Sequence, residues 1–414
     1  MEKIIVEGGY PLYGGVAVSG MKNSALPIIY ATILIKDECV IHNVPRVSDV
    51  YDSLEILRLM GAVAEFCDTN TVRINCTNID ECGIPERLVS KMRASSYLMG
   101  AMLSRFGRIS LPLPGGCNFG ARPLDLHFKG FEVLGAKCVE EDGIINIFAK
   151  ERLKSHKITL DKISVGATIN MVLASTTLDG TTVIANCASE PHVDDVISFL
   201  NACGASIVRD GGVITCNGVK RLHGVEYTIF PDMIEALTYA CAVGICTGEI
   251  EIYGVVPSHL SCGLSVLKTM GCEIKEYEKV VAIKAKKVFG TSVTTAPFPC
   301  FPTDLHPQLA ALLCFAKDGG TITEGVFPTR FAYVKELTKM GADIYVCGNS
   351  VHVGESQLNA ACLDATDLRA GAALTLASLG ARGVSTINNV NYIVRGYEDF
   401  VFKLANIGGK IKLI

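Results

Sequence analysis

The feature that most constrains the fold is a short pattern repeated six times along the chain. Each copy has an apolar residue or a cysteine, then a glycine, then a small residue. The six glycines are Gly61, Gly135, Gly204, Gly271, Gly341 and Gly408. Their spacing runs from 67 residues (204 to 271) to 74 residues (61 to 135) in a chain of 414. Such regular spacing over the whole length indicates six copies of one supersecondary unit.

The residues around each glycine predict the elements of that unit. A helical stretch such as 54–60 precedes the glycine, which is typical of a helix C-cap, and two alternating strands follow it. The strands are joined by turns at Asp142-Gly143, Asp210-Gly211 and Gly348-Asn349. Further upstream lie a short apolar strand, such as 183–186, and a helix rich in small residues, such as 167–174. Each copy is therefore interpreted as helix, strand, helix, strand, strand.

Six copies in 414 residues predict two domains with three copies each, because a single hydrophobic core rarely grows to this size. The last copy stops at Ile414, one strand short, and the segment 3–7 is the natural candidate for the missing strand. The expected domains are therefore 21–230 and 1–20 plus 231–414. The two crossings, near residues 20 and 230, would form a hinge.

Composition excludes several classes of protein. The net charge is −4, and no basic cluster is denser than 284–287, which argues against a nucleic-acid partner. Apolar runs such as 236–246 fall short of the roughly 18 residues of a membrane span. The 17 cysteines are scattered without a Cys-x-x-Cys pair, so free thiols in a reducing cytoplasm explain them better than disulfides or a metal. We expect a cytoplasmic protein that binds neither nucleic acid nor a membrane.

Polar residues stand at equivalent places where six of the predicted helices begin. They are Lys22, Asn23, Arg93, Lys162, Ser164, Asp232, Asp304, Asp367 and Arg369. Helix N-termini attract phosphates and carboxylates, although Asp and Ser also serve there as ordinary caps. Arginine suits the same ligands, and after Arg221 the chain has only Arg330, Arg369, Arg382 and Arg395.

One loop, 114–123, combines three glycines and two prolines with a cysteine and an arginine. Cys117 lies five residues before Arg122, and a nearby guanidinium favours the reactive thiolate. The alternative is that Cys117 is one more inert thiol among 17. The position on a glycine-rich loop favours the reactive interpretation.

These segments together resemble one family. The matching segments are 19–23, 92–95, 114–123, 124–127, 162–167, 301–304, 365–370 and 395–398. They are similar to the UDP-N-acetylglucosamine 1-carboxyvinyltransferase family, and the resemblance runs from the first residues to the last. It implies an α/β fold, namely a two-domain inside-out α/β barrel with three repeats per domain. It also implies a transferase that moves the enolpyruvyl group of phosphoenolpyruvate to the 3′-hydroxyl of UDP-N-acetylglucosamine, at the first committed step of peptidoglycan synthesis.

The resemblance also implies roles for particular residues. The residues that match the phosphoenolpyruvate site are Lys22, Asn23, Arg122, Arg330, Arg369 and Arg395. The residues that match the UDP-N-acetylglucosamine site are Asn23, Arg93, Arg122, Pro123, Leu124, Asp125, His127, Lys162, Ser164, Val165, Gly166, Asp304, Val326 and Phe327. The catalytic set is Cys117, Asp304, Lys22 and Arg395. Cys117 matches the cysteine that fosfomycin alkylates and would supply a proton to C3, and Asp304 would take one from the sugar hydroxyl. No cofactor and no metal are expected, and the chain is expected to be a monomer or a weak homo-oligomer.

Four positions depart from the family pattern and leave alternatives open. Ser48 replaces a lysine, Tyr97 a tryptophan, His192 an acidic residue and Met233 an arginine, so we interpret the chain as a divergent, second copy of the enzyme. One alternative is the shikimate-pathway enolpyruvyl transferase, which lacks the cysteine loop. Another is a degenerate paralogue that only binds UDP-N-acetylglucosamine. The retained catalytic set argues against both.

Overall fold

The structure is a computed structural model that describes residues 2–80, 84, 86–115 and 124–414. These residues form two compact units. The N-terminal unit contains the described residues between 20 and 230, and the C-terminal unit contains residues 2–19 and 231–414. Within the described ranges, no helix is both long and apolar enough to cross a membrane.

Thirteen α-helices lie in the described part of the chain. They are α1 Lys22–Ala31, α2 Ser48–Leu59, α3 Glu86–Val89, α4 Tyr97–Phe106, α5 Asp125–Val133, α6 Val165–Ser175, α7 Pro191–Ala202, α8 Met233–Cys246, α9 Pro257–Thr269, α10 His306–Leu313, α11 Ala332–Lys339, α12 Leu368–Gly380 and α13 Phe400–Asn406. Short 3-10 helices at Arg93–Ser96, Thr303–Leu305 and Val390–Arg395 precede α4, α10 and α13.

The strands alternate with these helices. They are β1 Ile4–Glu7, β2 Leu12–Ala17, β3 Glu38–His42, β4 Val63–Asp68, β5 Thr71–Asn75, β6 Arg108–Pro112, β7 Ala136–Glu141, β8 Ile144–Ala149, β9 Lys157–Thr159, β10 Thr181–Ala185, β11 Ser206–Asp210, β12 Val213–Asn217, β13 Glu226–Thr228, β14 Gly248–Tyr253, β15 Glu273–Glu276, β16 Val280–Ala285, β17 Phe289–Thr294, β18 Lys317–Thr323, β19 Ile344–Cys347, β20 Ser350–Val353, β21 Cys362–Asp364, β22 Val384–Asn388 and β23 Lys410–Leu413.

The first helix of each repeat is buried at the centre of its unit. In the C-terminal unit α8, α10 and α12 pack against one another, and in the N-terminal unit α4 packs against both α1 and α6. Small residues permit this close approach: a Cβ added to Gly244 of α8 would lie 2.8 Å from Cδ1 of Leu312 in α10. The burial of small-residue helices explains why their sequences lack a polar face.

Each repeat contributes one sheet. Five sheets have four strands, in the orders β13-β3-β5-β4, β11-β12-β10-β9, β15-β16-β14-β2, β17-β18-β20-β19 and β21-β22-β1-β23, and the described strands of the sixth are β6-β8-β7. The sequence predicted the three-strand part but missed the parallel edge strand of the five larger sheets. The predicted five-element repeat is therefore incomplete. Three of the missed strands have only three residues, too few to show a hydrophobic period.

The expected source of the last repeat's missing strand is confirmed. Strand β1 lies between β22 and β23 and pairs antiparallel with both, so that Ile4 faces Ile387 on one side and Leu413 on the other. Ile4 and Val6 are buried, and Glu7 is exposed. The alternation in 4–7 therefore completes a half-buried sheet from the opposite end of the chain.

The six repeat glycines end the second helix of each repeat, as predicted. All six have a positive φ, between 88° at Gly341 and 101° at Gly408. At Gly61, the glycine N–H donates to the Arg58 carbonyl and the Ala62 N–H donates to the Leu57 carbonyl, at 3.0 Å each. This pair of bonds is the Schellman motif, which turns the chain from the helix into the hairpin.

The strand between the two helices of each repeat is called the middle strand. An asparagine follows it in three of the repeats. Asn43, Asn186 and Asn389 follow β3, β10 and β22, with φ of 57°, 59° and 58°. Each side-chain amide donates to a carbonyl just beyond the parallel edge strand; the acceptors are Ile229, Leu160 and Ala365. Because Asn tolerates the left-handed conformation, one residue can both end the middle strand and tie it to its neighbour.

Candidate active site

In the C-terminal unit, three of the predicted site residues form a buried ion-pair cluster. Arg330 Nη1 lies 2.9 Å from Asp304 Oδ1, and Arg369 Nη2 lies 3.1 Å from Asp304 Oδ2. Each arginine side chain is 3% exposed, whereas that of Asp304 is 30% exposed. Two guanidinium groups thus share one carboxylate whose edge is open to solvent, and a second anion could complete the charge balance.

The local sequence explains how these side chains come together. Asp304 lies in the 3-10 turn Thr303–Leu305, directly before α10. Arg369 is the second residue of α12, whose N-cap Asp367 accepts hydrogen bonds from the Arg369 and Ala370 amides. The Arg369 guanidinium carbon lies 5.2 Å from the centre of the Tyr397 ring. Helix starts therefore position both Asp304 and Arg369, as the sequence predicted.

The charges of the cluster determine the protonation of Asp304. Burial would raise the pKa of the Asp304 carboxyl, but the guanidinium groups of Arg369 and Arg330 outweigh burial and hold the pKa well below its usual value. The carboxylate is ionised and acceptor-only at neutral pH. It is a weak base as long as both arginines contact it.

Arg395 ends the 3-10 helix Val390–Arg395. Two residues that follow it, Glu398 and Lys403, form side-chain hydrogen bonds with Ser19. The Ser19 hydroxyl donates to the Glu398 carboxylate at 2.5 Å, and the Ser19 amide donates to Glu235 at 2.7 Å. Lys403 Nζ lies 2.7 Å from both the Ser19 hydroxyl and Glu235. A buried charged cluster therefore ties the Arg395 segment to the chain at Ser19, within the same unit.

Val326 and Phe327 lie on the loop that leads to Arg330. Both are partly buried, and the Arg330 guanidinium carbon lies 6.0 Å from the centre of the Phe327 ring. Their backbone amides donate to Glu324, at 2.8 and 3.0 Å. The structure thus brings Asp304, Arg330, Phe327 and Val326 into one neighbourhood.

In the N-terminal unit, Lys22 and Asn23 begin α1. The Lys22 side chain is 11% exposed, and its Nζ lies 3.0 Å from Asp49 Oδ2 in the first turn of α2. Asn23 is partly buried beside it. Ser48, one of the departures from the family pattern, is the first residue of α2, next to the partner of Lys22.

A second group of predicted residues meets where α5 and α6 begin. His127 is buried, and its Nδ1 lies 3.0 Å from the Asn170 side-chain amide. Burial, with a smaller effect from the Arg93 charge, lowers the pKa of His127 to about 3, so the ring is neutral. Gly166 leaves room for this ring, since a Cβ there would lie 3.2 Å from the His127 Nε2.

The other predicted residues of this group surround the same helix starts. Ser164 is the N-cap of α6 and accepts a hydrogen bond from the Ala167 amide at 3.3 Å. Val165 is the first residue of α6, Leu124 precedes α5, and Asp125 begins it. Lys162 is exposed two residues before the Ser164 cap. The three predicted site residues Cys117, Arg122 and Pro123 lie outside the described residues.

The remaining departures from the family pattern lie at helix starts. Tyr97 begins α4, His192 is the second residue of α7, and Met233 is the first residue of α8. Met233 follows the N-cap Asp232, which accepts hydrogen bonds from the Ile234 and Glu235 amides.

Among the described residues, no group of three or more His, Cys, Asp and Glu side chains could hold a metal ion.

One group near the cluster was missed by the sequence reasoning. Glu324, His306 and Thr303 are linked by hydrogen bonds, and Thr303 accepts from Arg330 Nη1 at 3.0 Å. Glu324 does not begin a helix, so the helix-start rule could not find it. A comparison of the residue after the middle strand in each repeat would have revealed it.

The fold agrees with comparisons to known proteins. Residues 6–404 match the sequence model of the family described as EPSP synthase (3-phosphoshikimate 1-carboxyvinyltransferase). The enolpyruvyl transferase NikO from Streptomyces tendae superposes with a TM-score of 0.90 at 26% identity, over 100% of this chain and 98% of that chain. EPSP synthase from Acinetobacter baumannii, at 16% identity over 100% of both chains, has a TM-score of 0.77 and shows the fold alone. These matches define an enolpyruvyl transferase of the α/β class.

Two curated relatives narrow the class. UDP-N-acetylglucosamine 1-carboxyvinyltransferase 3 of Caldanaerobacter subterraneus subsp. tengcongensis is 42% identical over 99% of both chains. UDP-N-acetylglucosamine 1-carboxyvinyltransferase of Halothermothrix orenii is 43% identical over 100% of both chains. The chain therefore belongs to the UDP-N-acetylglucosamine 1-carboxyvinyltransferase family, and the resemblance noted in its sequence is confirmed.

Proposed function

We propose that this chain transfers the enolpyruvyl group of phosphoenolpyruvate to the 3′-hydroxyl of UDP-N-acetylglucosamine and releases phosphate. The acceptor is the one in the names of relatives that are 42–43% identical along the whole chain. The observation that carries the proposal is the pairing of Arg330 and Arg369 with a single, partly open carboxylate, Asp304. Such a cluster suits a small ligand with carboxylate and phosphate groups.

The proposed reaction is an addition followed by an elimination. The sugar 3′-oxygen forms a bond to C2 of phosphoenolpyruvate, its proton leaves to a base, and C3 takes up a proton. The tetrahedral ketal then loses a proton from C3 while the bond between C2 and the phosphate oxygen breaks. Phosphate leaves with that oxygen, and the enol ether of the sugar nucleotide is formed.

Cationic residues stabilise the charge that develops in both steps. We assign Lys22, Arg122 and Arg395 to the phosphate, and Arg330 and Arg369 to the carboxylate of phosphoenolpyruvate. As phosphate leaves, C2 acquires oxocarbenium character, and fixed positive charges next to the departing dianion lower the barrier. Asn23 would contact the sugar.

Asp304 is the proposed base for the 3′-hydroxyl, and its ion pairs suggest how it becomes basic. With both arginines in contact its pKa lies well below the usual range. When the anionic donor takes over hydrogen bonds from Arg330 and Arg369, the carboxylate loses part of that stabilisation and its pKa rises. Cys117 is the proposed acid for C3.

We assign the nucleotide and diphosphate to residues of the N-terminal unit. Arg93 and Lys162 offer positive charge to phosphate oxygens, and the start of α6 at Ser164, Val165 and Gly166 offers the backbone amides of a helix N-terminus. The neutral His127 can take part only as a hydrogen-bonding or packing group. Arg122, Pro123, Leu124 and Asp125 belong to the same set, and Val326 and Phe327 are also assigned to this substrate.

The proposed setting is peptidoglycan synthesis in the cytoplasm. All 15 cysteines among the described residues are free, which suits a reducing compartment. A monomer or a weak homo-oligomer is the proposed state.

The test is phosphate release from phosphoenolpyruvate with two acceptors. We expect release with UDP-N-acetylglucosamine and none with shikimate 3-phosphate. Release only with shikimate 3-phosphate would move the chain to the other carboxyvinyltransferases. Binding of UDP-N-acetylglucosamine without any release would indicate a binding protein.

Three variants separate the chemistry of the site from fold stability. Lys22→Ala and Arg395→Ala should each lower kcat on the order of 100-fold while UDP-N-acetylglucosamine still binds, because a charge aimed at the departing phosphate is lost. Arg382→Ala is the control, since Arg382 has no assigned role. Equal loss in all three variants would contradict the assignment.

A further inference from the structure

The residue that follows the middle strand varies among the six repeats, and after β6 it is the exposed Leu113. It is Asn43, Asn186 and Asn389 in three repeats and Gly254 in another, and all four have a positive φ. In the repeat that contains Asp304, the equivalent residue after β18 is Glu324. Glu324 is completely buried. A buried carboxylate at a position where four other repeats have a turn residue calls for a specific role, since burying a charge is costly.

The Glu324 carboxylate accepts five hydrogen bonds. Oε1 accepts from the Thr295 hydroxyl at 2.6 Å and from the amides of Val326 and Phe327 at 2.8 and 3.0 Å. Oε2 accepts from the Thr303 hydroxyl at 2.9 Å and lies 2.8 Å from His306 Nδ1. The donors come from three separate segments, at 295, 303–306 and 326–327. One carboxylate therefore joins the turn of Asp304 to the loop that leads to Arg330.

The protonation states agree with this network. Burial would raise the pKa of Glu324, but the hydrogen bonds from His306 and Thr295 lower it to about 2, so the carboxylate is ionised. Burial lowers the pKa of His306, which favours the neutral ring. His306 then donates from Nδ1 to Glu324 and accepts at Nε2 from the Tyr333 hydroxyl, 2.8 Å away. All five groups that contact the Glu324 side chain thus donate hydrogen bonds to a charged carboxylate. Hydrogen bonds to a charged acceptor are stronger than those between neutral groups.

We propose that Glu324 is a positioning residue, which holds Asp304 and Arg330 at the separation that the reaction requires. It acts through Thr303, whose hydroxyl donates to Glu324 and accepts from Arg330. Asn or Gly at this position would leave the 326–327 amides and Thr303 without their common acceptor. The inference rests on the proposed function, because the geometry in question is that of its base and its donor-binding arginine.

The chain offers a matched control. Glu336 is also a buried glutamate of the C-terminal unit, and its Oε2 accepts from the Asp364 amide at 2.9 Å and from Lys339 at 2.7 Å. None of these partners has an assigned role in the reaction. Glu336→Gln therefore reports the effect of neutralising a buried, hydrogen-bonded carboxylate without touching the candidate site.

The first experiment measures kcat and both KM values for the wild type, Glu324→Gln, Thr303→Val, their double variant and Glu336→Gln. We expect Glu324→Gln to lower kcat on the order of 100-fold, since small displacements of reacting groups cost about this much. Thr303→Val should lower kcat on the order of 10-fold, and the double variant should be no slower than Glu324→Gln, because both changes break one linkage. Glu336→Gln should keep the wild-type kcat.

A second measurement does not depend on turnover. Hydrogen exchange of the free protein should be faster in the peptide that contains the 326 and 327 amides in Glu324→Gln, and unchanged there in Glu336→Gln. If Glu324→Gln cannot be purified, Thr303→Val alone must show its loss of kcat. A kcat of Glu324→Gln equal to that of Glu336→Gln, or additive losses in the double variant, would overturn the proposal. Wild type without turnover would refute the proposed function, and hydrogen exchange would still show whether Glu324 holds the 326 and 327 amides.

Discussion

Asp304, Arg330 and Arg369 in the C-terminal unit are charged and paired with one another, whereas His127, Ser164 and Gly166 in the N-terminal unit are neutral groups at helix starts. Asp304, Arg330 and Arg369 form contacts of 2.9 to 3.3 Å in a buried cluster. In the N-terminal unit, by contrast, His127 is neutral and Ser164 caps α6. The same repeat thus supports two kinds of site, because helix starts can present either side chains or backbone amides.

The difference suits the two proposed substrates. A small, highly charged donor needs guanidinium groups that are already oriented and already balanced by a carboxylate. A sugar nucleotide spreads its charge over a diphosphate and offers many neutral polar groups, which backbone amides and uncharged side chains can bind. The charged cluster of Asp304, Arg330 and Arg369 therefore suits the donor, and the helix starts at α5 and α6 suit the sugar nucleotide; the assignment of individual residues stays a prediction.

The largest expected effect comes from Asp304→Asn, which breaks the charged cluster of the C-terminal unit. Loss of the proposed base should lower kcat by roughly 10²- to 10⁴-fold. Because the competing carboxylate charge is gone, Arg330 and Arg369 should bind phosphoenolpyruvate more tightly than in the wild type. Steady-state kinetics and calorimetric titration measure the two effects. Weaker donor binding together with normal kcat would contradict the view of Asp304 as both counter-ion and base.

A smaller effect concerns stability in acid and distinguishes the two units. The unfolded chain protonates His127 near pH 6.5, but the folded chain does so only near pH 3, so stability is lost as pH falls through that window. The contribution is about 1.4 kcal/mol for each pH unit. His127→Asn should flatten the decline of the unfolding free energy between pH 6.5 and 3. Urea melts across this range test the prediction, and an unchanged slope would contradict it.

Glu324 should affect stability in a lower pH range than His127. Its pKa is depressed to about 2, so its stabilisation is present above the ordinary pKa of about 4.3 and is lost as pH falls from there towards 2. In the same urea melts, Glu324→Gln should flatten the decline only below this ordinary pKa. If the pH dependence of the unfolding free energy changed near pH 6 in Glu324→Gln, the acid sensitivities of Glu324 and His127 could not be assigned to separate pH ranges.

The smallest effect tests what the two units share. Gly135 in the N-terminal unit and Gly341 in the C-terminal unit have φ of 99° and 88°, and a Cβ at either position would meet no atom closer than 3.9 Å. Alanine should therefore cost about 1 kcal/mol at both positions, from the left-handed backbone alone. Thermal melts of the two variants should agree. A clear difference between them would show that the repeats are not equivalent in their helix caps.

The sequence predicted the elements that depend on local signals. The repeat glycines, the helix starts at Lys22, Ser164 and Asp367, and the completing strand 4–7 all follow from residues that are close in the chain or regularly spaced. Three of the parallel edge strands were missed because they have only three residues each, and two of the five, β2 and β13, pair with strands of distant sequence. Glu324 was missed because its donors lie at 295, 303, 306 and 326–327, a set that only the folded chain brings together. The domain boundaries and the hinge stay predictions.

The central claim is that the chain breaks the bond between C2 and the phosphate oxygen of phosphoenolpyruvate. Phosphoenolpyruvate labelled with ¹⁸O in that bridging position tests it most directly, with UDP-N-acetylglucosamine as acceptor. The account predicts that the label appears in the released phosphate and that the sugar nucleotide gains an enolpyruvyl group in equal amount. Label retained in pyruvate, with an unmodified sugar nucleotide, would mean cleavage between phosphorus and oxygen and would contradict enolpyruvyl transfer.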